Sequence, residues 1–260
     1  MTSTRDLFEL GGKTAIVTGG SRGLGLQIAQ ALGDYGCRVL LTARKANELQ
    51  SAVAQLQAQG IDADWVAADA SQPDAVTGLV DIAIERMGHV DILVNNAGAS
   101  WGAPVEDYPL EAWDKVFALN VRGMFLLSQQ VGRRSMLPRG SGRIINIASI
   151  AGLRGNPPGA MTTIAYNAAK GAVVNFTRAL AGEWGGRGIN VNALAPGFFP
   201  SKMSAGLMAA FGEEALMGNA PRRVLGDDDD LKGAVVLLAS AAGKHITGQV
   251  LAIDGGYTAV

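Results

Sequence analysis

Cysteine and histidine are both scarce in this chain of 260 residues. The single cysteine, Cys37, cannot form an internal disulfide, which fits a reducing compartment. It falls in an apolar-flanked stretch, so we expect a packed thiol rather than a reactive one. The two histidines, His89 and His245, do not stand in ligand-like clusters, and we therefore expect no metal site.

An excess of either charge is also lacking. Lysine and arginine together number 22 against 23 acidic residues, which gives a net charge of −1. Binding to a nucleic-acid backbone needs a cationic excess, so we expect no nucleic-acid partner. The longest apolar runs, such as residues 234–239, fall far short of the ~20 residues of a membrane span. Residues 1–10 are polar and mixed in charge, without the apolar stretch of a secretory leader, so we expect a cytoplasmic protein.

Apolar residues and glycine are abundant. The chain is 48% hydrophobic and 17% charged, a composition that allows a large buried core. Glycine accounts for 35 residues, about twice its average share of ~7%. The glycines are not periodic and proline is low, which excludes collagen-like and low-complexity chains. We therefore expect the glycines to mark turns.

Short apolar segments alternate with helical patterns along the whole chain. Strands are predicted at residues 13–18, 39–43, 63–67, 91–95, 143–148, 190–195 and 249–254. Helices are predicted at residues 24–32, 47–59, 73–87, 110–136, 164–184, 202–217 and 229–240. Such alternation requires a parallel sheet covered on both faces, so the sequence predicts one α/β domain over residues 1–260 with a seven-stranded, doubly wound sheet. The acidic run 227–230 is expected to cap the last helix rather than to bind a metal.

A glycine-rich turn joins the first strand to the first helix. It reads Thr18-Gly19-Gly20-Ser21-Arg22-Gly23-Leu24-Gly25. A pyrophosphate can sit at a helix N-terminus only if the backbone approaches it closely, which side chains at the turn would block. Placed after the first strand of a chain of strand-helix units, the turn predicts a dinucleotide site.

The spacing of this turn, T-G-x-x-x-G-x-G, resembles that of the classical short-chain dehydrogenase/reductase family. Further matches cover almost the whole chain. They are Asn95-Asn96-Ala97-Gly98, Asn120, Ser149, Tyr166-x-x-x-Lys170, Pro196-Gly197, Thr247-Gly248-Gln249 and Asp254-Gly255-Gly256. The resemblance implies a single-domain Rossmann fold and hydride transfer between a nicotinamide cofactor and a ketone or secondary alcohol. It implies a cofactor-binding set of Gly19, Ser21, Arg22, Gly23, Leu24, Gly25, Arg44, Asp69, Ala70, Asn96, Ala97, Gly98, Tyr166, Lys170, Pro196, Gly197 and Ser201.

The end of the second strand indicates which nicotinamide cofactor is bound. An acidic residue there would accept hydrogen bonds from the ribose of NAD, but the position is Ala43. The next residue is Arg44, and Arg22 lies in the glycine turn, so two guanidinium groups are available for a 2′-phosphate. We therefore predict NADP(H), with NAD(H) as the less favoured alternative. Asp69 resembles the family residue that contacts the adenine edge, and capping of the following helix is its alternative role.

Tyr166 and Lys170 lie one helical turn apart and so share a helix face. A ketone accepts hydride more easily if an acid protonates its oxygen, and a nearby ammonium is expected to lower the ordinary phenol pKa of ~10. By resemblance, Tyr166 is the general acid in reduction and the base in oxidation. The resemblance also implies that Lys170 binds the nicotinamide ribose, that Ser149 bonds the substrate oxygen, and that Asn120 completes a water-linked proton relay.

The substrate is less defined by the sequence. Residues 149–166, which include Gly155-Asn156-Pro157-Pro158-Gly159 and Thr162-Thr163, form a stretch a few residues longer than in most relatives. Trp101, Phe198, Phe199 and Met203 follow strands and are expected to make an apolar pocket.

The overall pattern resembles bacterial 3-oxoacyl thioester reductases, including the rhamnolipid-pathway type, with the gluconate 5-dehydrogenase group as a neighbouring resemblance. The apolar pocket favours a 3-oxoacyl thioester carried on ACP or CoA, with a polyol or sugar as the alternative. A non-catalytic dinucleotide sensor is disfavoured because all four catalytic residues are present. The resemblance and the apolar C-terminal segments 234–242 and 248–260 predict a homotetramer.

Overall fold

The computed structural model describes residues 2–156, 161–218 and 220–260. Its strands form one seven-stranded sheet in the order β3-β2-β1-β4-β5-β6-β7, and every neighbouring pair is parallel. This arrangement confirms the predicted doubly wound α/β fold. The strands are β1 Thr14–Thr18, β2 Arg38–Ala43, β3 Ala63–Ala67, β4 Ile92–Asn95, β5 Gly142–Ile147, β6 Ile189–Pro196 and β7 Val250–Ile253.

Helices cover both faces of the sheet. They are α1 Gly23–Asp34, α2 Ala46–Ala58, α3 Pro73–Met87, α4 Leu110–Phe117, α5 Met124–Val131, α6 Leu137–Arg139, α7 Ile164–Trp184, α8 Ala205–Phe211, α9 Glu213–Met217 and α10 Lys232–Ala239. Helices α1, α2 and α10 pack into one apolar cluster and α3, α5 and α7 into a second. Because successive strand residues point to opposite faces, Val17 belongs to the first cluster and Ile16 to the second.

Three predicted helices differ from the helices of the structure by three or more residues at one end. The helix predicted at 110–136 runs on to Arg139 and contains two π-helical segments, Ala118–Gly123 and Gly132–Met136. The helix predicted at 202–217 is divided into α8 and α9 at Gly212, whose φ of +74° lies outside the helical region. The helix predicted at 229–240 begins only at Lys232.

The acidic run before α10 forms a turn of its own. Asp227 accepts the Asp229 N–H at 2.9 Å, and Asp230 accepts the Asp227 N–H at 3.0 Å. Asp229 also pairs with Lys232 at 2.7 Å. Among the described residues, no side chain hydrogen-bonds the backbone N–H groups of the first turn of α10, so the predicted cap is wrong. The carboxylates instead satisfy the backbone just outside the helix.

Cys37 directly precedes β2 and is buried. Burial raises the pKa of its thiol to about 12, which confirms a packed rather than a reactive thiol. Within residues 2–156, 161–218 and 220–260, no helix combines the length and apolarity needed to cross a membrane. The same residues contain no group of three or more His, Cys, Asp or Glu side chains arranged to hold a metal ion.

The strand order reverses between β1 and β4, because β1 pairs with β2 on one side and with β4 on the other. In open parallel sheets, ligands bind outside the carboxyl ends of the strands at such a reversal. The loops that follow β1 and β4 therefore border the crevice in which a dinucleotide would bind. The loops after β5 and β6 continue the same edge toward a substrate.

Candidate active site

The glycine turn after β1 depends on two left-handed residues and one close backbone approach. Gly19 has φ +64° and Gly23 has φ +52°, values that favour glycine. A Cβ on Gly25 would lie 2.2 Å from the Gly19 carbonyl oxygen and 2.5 Å from Asn96 Nδ2. The turn therefore folds tightly enough to bring α1 against the end of β4.

The start of α1 has room for an anion. Arg22 precedes the helix without a side-chain capping bond, so its side chain leaves the N–H groups of the first turn uncapped. Nothing lies within 4 Å of a Cβ built on Gly23. An uncapped helix N-terminus beside open space fits the pyrophosphate of a dinucleotide. Ser21 lies in this turn, and Leu24 packs on the apolar core.

Replacing Gly25 with alanine is expected to abolish measurable NADPH binding, because the new methyl group collides with backbone that cannot retreat. Calorimetric titration of NADPH measures the loss. Gly78→Ala is the matched control, since nothing lies within 4 Å of a Cβ there and α3 should gain ~0.5–1 kcal/mol of stability. Normal NADPH affinity in the Gly25 variant would contradict this account of the turn.

Thr18 joins the glycine turn to the loop after β4. Its Oγ1 accepts the N–H groups of Asn96 and Ala97, both at 2.9 Å. Asn96 Nδ2 in turn donates to the carbonyls of Thr18, at 2.8 Å, and Gly19, at 3.3 Å. Thr18 was not among the predicted site residues, although the T-G pair of the motif contains it. Its hydroxyl fixes the two halves of the crevice against each other.

The two arginines that predicted NADP(H) differ in their surroundings. Arg22 pairs with Glu48 at 2.8 Å, and Lys45 pairs with the same carboxylate at 3.1 Å. Arg44 is exposed and takes part in no ion pair among the described parts of the chain. The N–H of Gly19 donates to the Thr42 carbonyl at 2.7 Å, so the end of β2 and the glycine turn are hydrogen-bonded neighbours.

Asp69 and Ala70 lie in the loop after β3. Asp69 Oδ1 accepts the N–H and the hydroxyl of Ser71, at 2.9 and 2.7 Å. The residue before α3 is Gln72, and no side chain caps that helix, so the alternative capping role of Asp69 is wrong. A Cβ on Gly123 would lie 2.3 Å from the Ala70 carbonyl oxygen, so the π-helical segment approaches this loop closely.

Ser149, Tyr166 and Lys170 meet where β5 and α7 face each other. Ser149 follows β5 and accepts the Ala151 N–H at 3.1 Å. Lys170 is 4% exposed, and its ammonium donates to the Ile147 carbonyl at 2.6 Å. The Lys170 nitrogen lies 5.5 Å from the centroid of the Tyr166 ring. The predicted catalytic groups are therefore adjacent in space.

Burial governs the protonation of this cluster. It lowers the pKa of the Lys170 ammonium from 10.5 to about 8. It also raises the pKa of the Tyr166 phenol, and a side-chain hydrogen bond with Ser149 acts in the opposite direction. The predicted net lowering of the Tyr166 pKa is therefore wrong here, because burial disfavours the charged form of the phenol. The phenol is held neutral, as a proton donor must be.

Asn120 lies in the first π-helical segment and is buried. Its Oδ1 accepts the Ala99 N–H at 2.8 Å, and its Nδ2 donates to the Ala99 carbonyl at 2.9 Å. A Cβ on Gly98 would lie 3.5 Å from Asn120 Oδ1 and 3.8 Å from the Lys170 nitrogen. Asn120 thus fixes the loop after β4 beside Lys170, and a proton relay past it stays a prediction.

The four residues predicted to form an apolar pocket are not grouped together. Trp101 is 50% exposed and Met203 is 52% exposed. Phe198 packs edge-to-face on Tyr257, with ring centroids 5.5 Å apart. Phe199 is buried, and together with Phe198 it lines a cavity that Leu216, Met217 and Tyr257 also border.

The remaining predicted residues lie around the end of β6. Pro196 ends this strand, and a Cβ on Gly197 would lie 2.8 Å from the Asp254 Cα. The Ser201 hydroxyl is 3.0 Å from that of Ser204.

Residues 157–159 of the lengthened stretch lie outside the described residues, whereas its Gly155, Asn156, Thr162 and Thr163 are described.

A helix N-terminus cleared for a dinucleotide and a half-buried phenol beside a buried lysine lie on one edge of the sheet, an arrangement that defines a nicotinamide-dependent oxidoreductase. The chain belongs to the short-chain dehydrogenase family, whose model, described as short chain dehydrogenase, matches residues 13–210. Members of this family act on CH–OH groups and the corresponding carbonyls, so the predicted class of enzyme is confirmed.

Relatives of known activity match along almost the whole chain. Gluconate 5-dehydrogenase of Gluconobacter oxydans (strain 621H) is 42% identical over 257 residues, 97% of either chain. The rhamnolipids biosynthesis 3-oxoacyl-(acyl-carrier-protein) reductase of Pseudomonas aeruginosa is 40% identical over 256 residues, 96% of this chain and 98% of the relative. The crystal structure of a gluconate 5-dehydrogenase from Burkholderia cenocepacia J2315, in complex with NADP and tartrate, superposes with a TM-score of 0.93 at 34% identity. The superposition covers 99% of this chain and 100% of the Burkholderia chain.

Proposed function

We propose that this enzyme interconverts a ketone and a secondary alcohol with NADP(H), and that Tyr166 transfers the proton. The contact of the half-buried Tyr166 with the buried Lys170, beside Ser149, carries the proposal. When bound, the cofactor supplies hydride for reduction or accepts it in oxidation. Tyr166 donates its phenol proton to the substrate oxygen in reduction and takes it back in oxidation.

The neighbouring side chains support this proton transfer in different ways. Ser149 orients the substrate oxygen by a hydrogen bond, from a turn that its own side chain helps to close. Lys170 binds the nicotinamide ribose and stabilises negative charge on the Tyr166 oxygen as the proton leaves. Asn120 holds Ala99 and Gly98 beside Lys170 and continues the proton relay.

The glycine turn and the loop after β4 would hold the cofactor between them. Gly19, Gly23 and Gly25 clear the backbone at the start of α1, where the first turn of the helix would bind the pyrophosphate. Arg44 binds the 2′-phosphate of NADP(H), because it is exposed at the end of β2 and without a carboxylate partner among the described residues. The Burkholderia relative, whose crystal structure contains NADP, supports this choice.

Arg44→Ala is expected to weaken NADPH affinity about ten- to hundredfold and to leave NADH affinity unchanged. The variant loses a charge-assisted bond of roughly 1.5–3 kcal/mol to a phosphate that NADH lacks. Fluorescence titration with both cofactors measures the ratio. Lys45→Ala is the matched control, because it removes the adjacent exposed cation, which already pairs with Glu48. Equal weakening of NADPH and NADH in the Arg44 variant would contradict the assignment.

For the substrate we propose a sugar acid or polyol. The Gluconobacter and Burkholderia relatives are gluconate 5-dehydrogenases. The apolar pocket that favoured a thioester is incomplete, because Trp101 and Met203 are half-exposed while Phe198 and Phe199 line a separate cavity. A 3-oxoacyl thioester on ACP or CoA is the second candidate, supported by the Pseudomonas relative at 40% identity.

A substrate panel distinguishes the two candidates. NADPH oxidation is followed with 5-keto-D-gluconate, acetoacetyl-CoA and medium-chain 3-oxoacyl thioesters at matched concentrations. The highest kcat/KM is expected with 5-keto-D-gluconate. A higher kcat/KM with a thioester would favour the 3-oxoacyl thioester over the sugar acid or polyol. If none of these compounds supports NADPH oxidation, both candidates are contradicted.

We also propose that residues 1–260 form one domain that assembles as a cytoplasmic homotetramer. Leu251 lies on the edge strand β7 and is 44% exposed, and Val260 at the end of the same segment is 83% exposed. A second copy would cover this apolar edge by a symmetric contact. Light scattering at micromolar concentration is expected to give four times the chain mass, and a monomer would contradict the proposal.

A further inference from the structure

Asn167 directly follows Tyr166 in α7, and every hydrogen-bonding position of its side-chain amide is used. Its Nδ2 donates to the Ala151 carbonyl and to Asn156 Oδ1, both at 3.1 Å. Its Oδ1 accepts the Thr163 hydroxyl at 2.9 Å and Asn156 Nδ2 at 3.3 Å. Two donors and two acceptor lone pairs are the full capacity of a carboxamide. A single side chain therefore joins three separate backbone segments.

The first of these segments is the turn that carries Ser149. The Ser149 hydroxyl accepts the Ala151 N–H, and the carbonyl of the same Ala151 accepts Asn167 Nδ2. One residue further, a Cβ on Gly152 would lie 2.5 Å from the Lys170 carbonyl oxygen, so the turn is seated directly on α7. Asn167 and Gly152 thus fix the Ser149 turn relative to the helix that carries Tyr166 and Lys170.

The second and third segments are the two described ends of the lengthened stretch. Asn156 lies before residues 157–160 and Thr163 after them, and both bond the Asn167 amide. The stretch also reaches the loop after β4, because the Ala103 N–H donates to the Thr162 carbonyl at 2.9 Å. That loop is itself held by Asn120 through Ala99.

The contacts therefore form a frame that connects the loop after β4, the lengthened stretch and the Ser149 turn, with Asn167 at its centre. We propose that Asn167 is a positioning residue of this enzyme. Through Ala151 it orients Ser149 toward the substrate oxygen, and through Asn156 and Thr163 it holds the two described ends of the lengthened stretch on α7. The inference rests on the proposed function, in which Ser149 and Tyr166 act on the same oxygen. A displacement of ~1 Å at such a group costs up to ~10²-fold in rate.

Two variants separate the two connections of Asn167. Asn167→Ala removes both, and alanine has a high helix propensity at this position within α7. It is expected to lower kcat about 10- to 100-fold and to leave NADPH affinity unchanged, because the Asn167 side chain bonds only Ala151, Asn156 and Thr163, none of which is assigned to the cofactor. Thr163→Val removes the hydroxyl that donates to Asn167 Oδ1 and accepts from Asn156 Nδ2, and it leaves the bond of Asn167 to Ala151 in place. It is expected to raise the KM for 5-keto-D-gluconate while kcat stays the same, and acetoacetyl-CoA replaces that substrate if the panel selects it.

A double-mutant cycle shows whether Asn167 acts through Ser149. Single-turnover NADPH oxidation is measured for Asn167→Ala in the wild-type and in the Ser149→Ala background, since slow rates remain readable in this format. If Asn167 positions Ser149, its removal costs little once Ser149 is gone. Asn167→Ser, with a single hydroxyl in place of the amide, repeats the cycle if the alanine variant is insoluble.

Three results would overturn the inference. They are an unchanged kcat in Asn167→Ala, an equal loss in both backgrounds, and a kcat loss in Thr163→Val as large as that in Asn167→Ala. Failure of the proposed function gives a different signature, because Tyr166→Phe would then remain active. If Tyr166→Phe is inactive and the effects of Asn167→Ala and Ser149→Ala are additive, the proposed function stands and only the positioning role of Asn167 is contradicted.

Discussion

Tyr166→Phe is expected to lower turnover by ~10²- to 10⁴-fold while NADPH binds as in the wild type. The change removes the hydroxyl and keeps the ring, whose contact with Lys170 and place on α7 remain. Because burial raises the phenol pKa, the hydroxyl is a neutral donor at pH 7, and phenylalanine cannot supply its proton. Steady-state NADPH oxidation gives the turnover, and calorimetric titration gives the affinity.

Tyr35→Phe is the matched control for this substitution. Tyr35 is 41% exposed at the end of α1, far along the chain from β5 and α7. Its variant is expected to retain wild-type turnover, which shows that loss of a phenol alone does not impair the enzyme. Near-normal activity in Tyr166→Phe would remove Tyr166 from the mechanism.

Lys170→Met is expected to inactivate the enzyme and to stabilise its fold. Burial lowers the Lys170 pKa from 10.5 to about 8, so keeping the ammonium in the core at pH 7 costs about 3 kcal/mol. Methionine fills a similar volume without a charge, although it leaves the Ile147 carbonyl without its donor at a cost of ~1 kcal/mol. The net gain in the free energy of unfolding is therefore expected to be ~2 kcal/mol.

The pH dependence of this gain follows from proton binding. Between pH 8 and pH 10.5 the unfolded chain binds more protons at Lys170 than the folded chain. Wild-type stability therefore rises with pH in that window, and the advantage of the methionine variant shrinks. Urea unfolding without cofactor, at pH 7 and pH 10 and one protein concentration, measures the effect. Lys115→Met on the exposed side of α4 should change stability by less than ~0.5 kcal/mol. A Lys170 variant less stable than the wild type at pH 7 would contradict the burial argument.

The seven strands and their parallel sheet could be predicted from the sequence because parallel strands are apolar on both faces. Residues 14–18 and 92–95 are buried throughout, and runs of this kind, separated by helical patterns, allow few other folds. The shared face of Tyr166 and Lys170 could be predicted from helical spacing, whereas the place of Ser149 beside them was implied by the family resemblance. Local pattern and overall fold agree at these positions.

Features that depend on contacts between distant segments could not be predicted. The π-helical segment around Asn120 leaves no mark in the apolar periodicity, although it brings Gly123 against Ala70. Phe199 follows β6 and packs into the core, where a Cβ on Gly226 would lie 2.4 Å from its ring. The bonds of Asn167 join three segments whose approach only the folded chain defines.

The burial of Cys37 makes the native chain a convenient host for spectroscopic labels. Its thiol is 1% exposed and its pKa lies at about 12, so maleimide and iodoacetamide reagents should leave the folded protein unmodified at neutral pH. A cysteine introduced at the half-exposed Met203 would then be the one reactive thiol of the chain. A fluorophore at that position could report how the segment after β6 responds to cofactor and substrate, without removal of the natural cysteine.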